Sequence, residues 1–169
     1  QPFRFVHAAD LHLDAPFRGL SFDSQEVGRK LRQTTFSALD SLVELCLRVR
    51  ADFLLVAGDV YNQEDRSLRA QLRFRDALAR LRENGVAVYV VHGNHDPLGT
   101  ASQAVQWPEN TRVFESDEPG CASYVREGQT LALIHGASHV GSGESRNLAR
   151  SFRRAREDVF QIGLLHCNL

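Results

Sequence analysis

Apolar positions recur along the chain in two periods, and the switches between them predict its elements. Phe3 to Ala9 is a short apolar-rich run that stops at Asp10, the pattern of a strand feeding a loop. That loop reaches about Phe22 through Pro16 and Gly19, and Asp23-Ser24-Gln25-Glu26 then fits a capping box at a helix start. Behind it Leu31, Thr35, Ala38, Leu42, Leu45 and Val49 step by fours and threes, one face of a helix reaching Arg50, with Cys46 as a small core residue. Phe53 to Ala57 is unbroken apolar sequence, as in a strand covered on both faces. A second helix turns Ala70, Phe74, Ala77, Leu78 and Leu81 inward and closes at Asn84-Gly85, and Val86 to Val91 is a third strand of the all-apolar type.

Strand, helix, strand, helix, strand with short links predicts right-handed crossovers and a parallel sheet. The pattern then changes. Arg112 to Glu115, Ser123 to Glu127 and Thr130 to His135 read as short strands, with Glu127-Gly128 as a hairpin turn. Asn147 to Arg156 reads as a helix and Phe160 to Leu165 as a last strand. The expectation is an α/β fold in a single domain over residues 1–169, a usual length for one core.

Composition narrows the class. With 43% apolar and 24% charged residues, the chain is not of the disordered type. Its 20 basic and 21 acidic residues exclude a bulk polycation. No 18-residue uncharged apolar run and no basic-then-apolar leader are present, so no membrane span is expected and a cytoplasmic setting is. Cys46, Cys121 and Cys167 are too widely spaced for a disulfide framework or a CxxC site. The chain has no Met, and Ile162 to Leu169 reads as a buried strand running into a loop. The natural start is therefore expected to have been removed or to lie upstream, and the C-terminus to be a cut rather than a natural end.

The chemistry sits where the strands stop. Asp10-Leu11-His12, Gly58-Asp59, Gly93-Asn94-His95-Asp96 and His166 each follow a strand, and the carboxyl ends of strands in an open α/β sheet form the ligand crevice. Carboxylates, imidazoles and one amide oxygen suit a divalent cation, Mn²⁺ or Zn²⁺ rather than Ca²⁺. Asp10 and His12 face the same way if the chain is extended there. The two oxygens of Asp59 suit a bridge between two ions about 3.5–4 Å apart, with Asn94 and His166 on the second. His95, beside Asn94, stays free as a general acid, and Asp96 either orients a ligand by hydrogen bond or caps the next segment. Any one of Asp10, His12, Asp59, Asn94 and His95 also fits a turn cap, and His166 a buried structural histidine. Their joint placement at strand ends selects the metal reading. His135 and His139 read as loop histidines, His7 and His92 as packing or ligand-supporting groups, and Asp14 as a turn cap.

These motifs resemble four of the five signature motifs of the calcineurin-like metallophosphoesterases. The run from Phe5 to Phe17, with Asp14-Ala15-Pro16-Phe17, is similar to the SbcD-type (YhaO-like) DNA-repair exonucleases, and the likeness extends from Phe3 to Asn168. The resemblance implies a metallophosphoesterase α/β sandwich, two central sheets flanked by helices, hydrolysing phosphodiester bonds in DNA with two divalent ions. Mn²⁺ leads, with Zn²⁺, Fe²⁺ and Mg²⁺ as alternatives. It implies that Asp10 and His12 hold one ion, Asn94 and His166 the other, that Asp59 bridges them, and that His95 protonates the departing sugar oxygen. It also implies a homodimer and an SMC-like coiled-coil ATPase as partner. The family's fifth motif, Gly-His-x-His, is absent. Two other readings stand beside this one: a phosphatase or nucleotide phosphodiesterase, since metal motifs do not choose a substrate, and a non-catalytic DNA-end-binding scaffold. Nineteen of the 20 basic residues are Arg, and Arg146, Arg150, Arg153, Arg154 and Arg156 crowd one segment. They read either as contacts to a DNA backbone or as a solvated helix face.

Overall fold

Alternation inside two buried strands sets the layers. In Phe53–Ala57 (β2) and Ala87–Val91 (β3), Leu54, Val56, Val88 and Val90 enter one core, while Phe53, Leu55, Ala57, Tyr89 and Val91 enter another. A strand with apolar side chains on both faces is stable only between two layers. The computed structural model describes residues 1–15, 25–62, 67–98 and 105–167. In it Phe5–Ala8 (β1), β2, β3 and Thr111–Val113 (β4) form a parallel sheet in that order. Gly120–Arg126 (β5), Gln129–Ala137 (β6) and Phe160–Leu165 (β7) form the second sheet, with β5 antiparallel and β7 parallel to β6. This is the expected α/β sandwich.

The crossover helices Gln25–Val49 (α1) and Leu68–Glu83 (α2) pack on the outer face of the first sheet. In α2 the inward set is the expected one: Ala70, Phe74, Ala77, Leu78 and Leu81 are buried. Ser67 caps the helix, its Oγ accepting from the Ala70 N–H at 3.0 Å and donating to Asp14 Oδ2 at 2.6 Å. In α1 the buried ridge is Phe36, Leu39, Val43 and Cys46. Thr35, Leu42, Leu45 and Val49 are half-buried on its flank, and Ala38 is exposed. Two neighbouring ridges share the same four-three spacing, and the bulky Phe36 ring selects the other one. The side chain of Leu31, the capping box at Asp23 and the loop around Pro16 and Gly19 lie outside the described set.

The second sheet departs from expectation on its outer side. Instead of a helix over 147–156 there is one 3₁₀ turn, Leu148–Ser151. Asn147 makes no side-chain cap bond, and Leu148 is the buried residue of that turn. Beyond it Gln161 accepts from the Ala155 N–H at 2.8 Å and donates to the Ala155 carbonyl at 3.0 Å, which holds the segment extended against β7. The Glu127-Gly128 hairpin turn is present, both residues left-handed (φ 52° and 76°), the backbone a two-residue hairpin needs. His7 is exposed on β1 rather than packed, and His135 lies in β6, not in a loop, with Nε2 3.3 Å from Gln161 Oε1.

Candidate metal centre

The ends of β1, β2, β3 and β7 meet at one edge of the sandwich. Left-handed turns, not extended chain, aim the first two side chains: Asp10 and His12 have φ of 56° and 41°. Their peptide N–H groups bond to the Gly58 carbonyl (3.2 Å) and the Asp59 carbonyl (3.0 Å), which fixes both turns against the end of β2. Asp59 is itself left-handed at φ 53°. Such residues cost about 1–3 kcal/mol each and persist where their surroundings hold them. Gly58 (φ 82°) admits this crowding, because a Cβ there would lie 2.8 Å from both the Gly93 nitrogen and the His166 Cβ.

One ligand atom each of Asp10, Asp59 and His166 falls within 4.8 Å of the others. The Nε2 of His12 is 3.9 Å from both Asp10 Oδ1 and Asp59 Oδ2. His166 Nε2 is 3.4 Å from Asp59 Oδ2 and 2.9 Å from Asn94 Oδ1. Tautomers decide what these contacts mean. His166 Nδ1–H donates to the Ala57 carbonyl at 2.9 Å, and His12 Nδ1–H donates to Asn62 Oδ1 at 2.7 Å. With Nδ1 so engaged, Nε2 is the ring nitrogen that each histidine turns toward the carboxylates. Asp59 is 3% exposed. Its Oδ1 accepts from the His95 N–H at 2.9 Å, while its Oδ2 faces two imidazole lone pairs. A buried carboxylate with one backbone N–H donor is unfavourable unless further positive charge compensates it. The donor set of three oxygens and two nitrogens therefore fits divalent metal.

Asp96 supports the centre from beneath. Its carboxylate accepts from the peptide N–H groups of Asp59 (3.1 Å), Val60 (2.9 Å) and Gly93 (2.7 Å), tying the β2 and β3 ends together. Burial pushes this carboxyl above the ordinary range, while His92 and the N–H donors pull the other way. His92 is buried, with Nδ1 2.8 Å from the Asp96 carbonyl. His95 is exposed at the mouth, its ring edge-on to His12 at 5.4 Å. Asn62 was not among the candidates from sequence, and its place three residues after Asp59 was the available signal.

The arginines are split. Arg146 is held by Glu144 and Asp117, and its guanidinium pulls the Glu144 carboxyl down to about 2. It lines a cleft of about 420 Å³ with Asn94, His139, Leu165 and His166. Arg153 and Arg154 line a separate groove with His135, Phe152 and Gly163, and Arg150 is exposed on the 3₁₀ turn. No helix aligns them. A larger cavity, about 1160 Å³, opens at the far end of the sheets around Asp52, Tyr124 and Arg126, away from the strand-end donors.

Fold and donor set together define a phosphoesterase class, and the chain belongs to the calcineurin-like phosphoesterase family, which it matches over residues 3–161. It is 40% identical over 165 residues to the protein of Bacillus subtilis (strain 168) named "Uncharacterized metallophosphoesterase YhaO". That match takes in 98% of this chain and 40% of the relative, so the chain spans about two fifths of that protein's length. It is also 29% identical over 93 residues to the DNA double-strand break repair protein Mre11 of Methanococcus maripaludis, covering 55% of this chain and 23% of the relative. The Mre11 of Aeropyrum pernix is 30% identical over 93 residues, covering 55% and 21%. Among the described residues no helix is long and apolar enough to cross a membrane.

Proposed function

We propose that the protein is a metal-dependent phosphodiesterase acting on DNA. The observation that carries the metal chemistry is the buried Asp59 carboxylate, whose Oδ2 meets the Nε2 lone pairs of His12 and His166. In this reading Asp10 and His12 hold one ion, Asn94 and His166 a second, and Asp59 serves both. Bound there, divalent ions would supply Lewis acidity toward a phosphoryl oxygen and a lowered pKa for attacking water. His95, at the mouth, donates a proton to the departing sugar oxygen, while Asp96 and Asn62 hold Asp59 and His12 in place. DNA as substrate is supported by the Mre11 relatives. Mn²⁺ as the working ion, a homodimer, an SMC-like coiled-coil ATPase partner and a cytoplasmic setting belong to the same proposal.

The test compares single-stranded DNA, bis-p-nitrophenyl phosphate and p-nitrophenyl phosphate as substrates with Mn²⁺. Hydrolysis of DNA and the diester, lost in Asp59→Ala, is the expected result. Turnover of the monoester alone would replace the reading with a phosphatase. DNA binding without hydrolysis of any of the three would replace it with a scaffold.

A further inference from the structure

The metal reading raises a mechanical problem. His166 Nε2 and Asn94 Oδ1 stand 2.9 Å apart, and with His166 Nδ1–H committed to Ala57 both atoms present lone pairs. They can serve one ion together only if the polypeptide holds the turn after β3 against the end of β7. They come from different sheets, Asn94 from the turn after β3 and His166 from the end of β7.

The residues that join the two are Ser138 and His139, at the end of β6. The His139 peptide N–H donates to the His92 carbonyl at 3.0 Å, and its carbonyl accepts from the Leu98 N–H at 3.0 Å. These bonds bracket the turn that carries Asn94. Ser138 Oγ accepts from the His92 N–H at 2.9 Å and donates to the Phe114 carbonyl, and the Ser138 N–H bonds to the Ser116 carbonyl at 2.7 Å. From the same dipeptide the His139 ring reaches the other way: its Nε2–H donates to the His166 carbonyl at 2.8 Å. The residue is 8% exposed, and its ring is edge-on to that of His166 at 5.7 Å. Its Nδ1 is buried without a hydrogen-bond partner among the described residues. An apolar ring would fill that space without stranding a nitrogen, so what the imidazole adds is the single Nε2–H bond to His166.

We propose that Ser138-His139 is a clamp and that His139 is a positioning residue for the Asn94–His166 half of the centre, one that touches no ion itself. The proposal rests on the metal reading above. Loss of the clamp weakens one ion and spares the one held by Asp10 and His12, whose turns are anchored on Gly58 and Asp59 instead. Supporting bonds of this kind are worth about 10–100-fold in metal affinity.

The experiment is calorimetric titration of the metal-free chain with Mn²⁺, for wild type, His139→Phe and His139→Gln. Two binding steps are expected for wild type. His139→Phe, which keeps a ring and loses the donor, should weaken one step about 10–100-fold and leave the other unchanged. His139→Gln, whose amide can donate to the same carbonyl, should recover most of the loss. Equal weakening of both steps, no weakening, or a glutamine variant as impaired as phenylalanine would overturn the clamp while leaving the metal centre intact. A wild type that takes up no Mn²⁺ would overturn both. Should His139→Phe fail to fold, Ser138→Ala removes the other arm under the same readout, and an unchanged pair of steps there would overturn the proposal.

Discussion

At the residue scale, what distinguishes His95 from the other histidines of the cleft is its freedom. His12 and His166 each spend one ring nitrogen on an amide or backbone oxygen and aim the other at Asp59, whereas His95 holds the carboxylate through its backbone N–H and leaves its ring at the surface. Replacement of that ring should therefore separate chemistry from binding. His95→Ala is expected to lower phosphodiester turnover by about 10²–10⁴-fold with the Mn²⁺ isotherm unchanged, and a parallel loss of both would place the ring among the ligands. Gly58 has the opposite character, since it has no chemistry and yet no substitute. Gly58→Ala combines a left-handed φ of 82° with contacts of 2.8 Å to Gly93 and His166. It should lower the unfolding free energy by about 1–3 kcal/mol and weaken metal binding, read by chemical denaturation beside the Mn²⁺ titration.

At the scale of elements, the two crossover helices differ in how much of them could be read. The inward face of α2 was legible residue by residue, because Phe74 is its one large aromatic and nothing competes with it. The face of α1 was read one ridge off, because Thr35–Leu42 and Phe36–Leu39–Val43 obey the same period and packing against β2 and β3 decides between them. The segment 147–156 had too few apolar residues to fix any period, and the hydrogen bonds of Gln161, a residue from the next strand, set its path. Among site residues, those at strand ends were legible from their motifs, whereas Asn62 was signalled only by its place three residues after Asp59, and Ser138 and His139 bond to backbone partners that leave no pattern in sequence. A test at this scale compares a core and a cap residue of α2. Phe74→Ala should cost about 3–5 kcal/mol and Ser67→Ala about 1 kcal/mol in urea unfolding, the latter also freeing Asp14.

At the scale of the whole molecule, the sandwich is fastened at both ends. Opposite the metal centre, Asp52 at the start of β2 accepts from the Arg4 N–H, the Tyr124 hydroxyl and the Arg126 guanidinium, each at 2.8 Å. Burial opposes ionisation of Asp52, and these three donors outweigh it, so its carboxyl lies below the usual range. Burial and the bond to Asp52 push the Tyr124 hydroxyl up to about 12. A depressed carboxyl contributes stability that is full above its ordinary value near 4 and fades as pH falls through its folded-state value. A raised phenol contributes stability that is full below about 10 and fades as pH rises through about 12. Stability of wild type should thus fall at both extremes, and Tyr124→Phe should reduce the alkaline component in denaturant titrations between pH 9 and 12, leaving the part due to buried Tyr89 and Cys46. The metal end has a different consequence, through the bond from His166 Nδ1 to the Ala57 carbonyl. His166, the candidate donor from β7, is delivered from the second sheet onto the end of a strand in the first, so it does not reach the other donors until the two layers have docked. Ion capture during refolding should coincide with the slowest rise of near-ultraviolet circular dichroism, and a nascent chain would acquire the candidate metal centre only once its two sheets have packed.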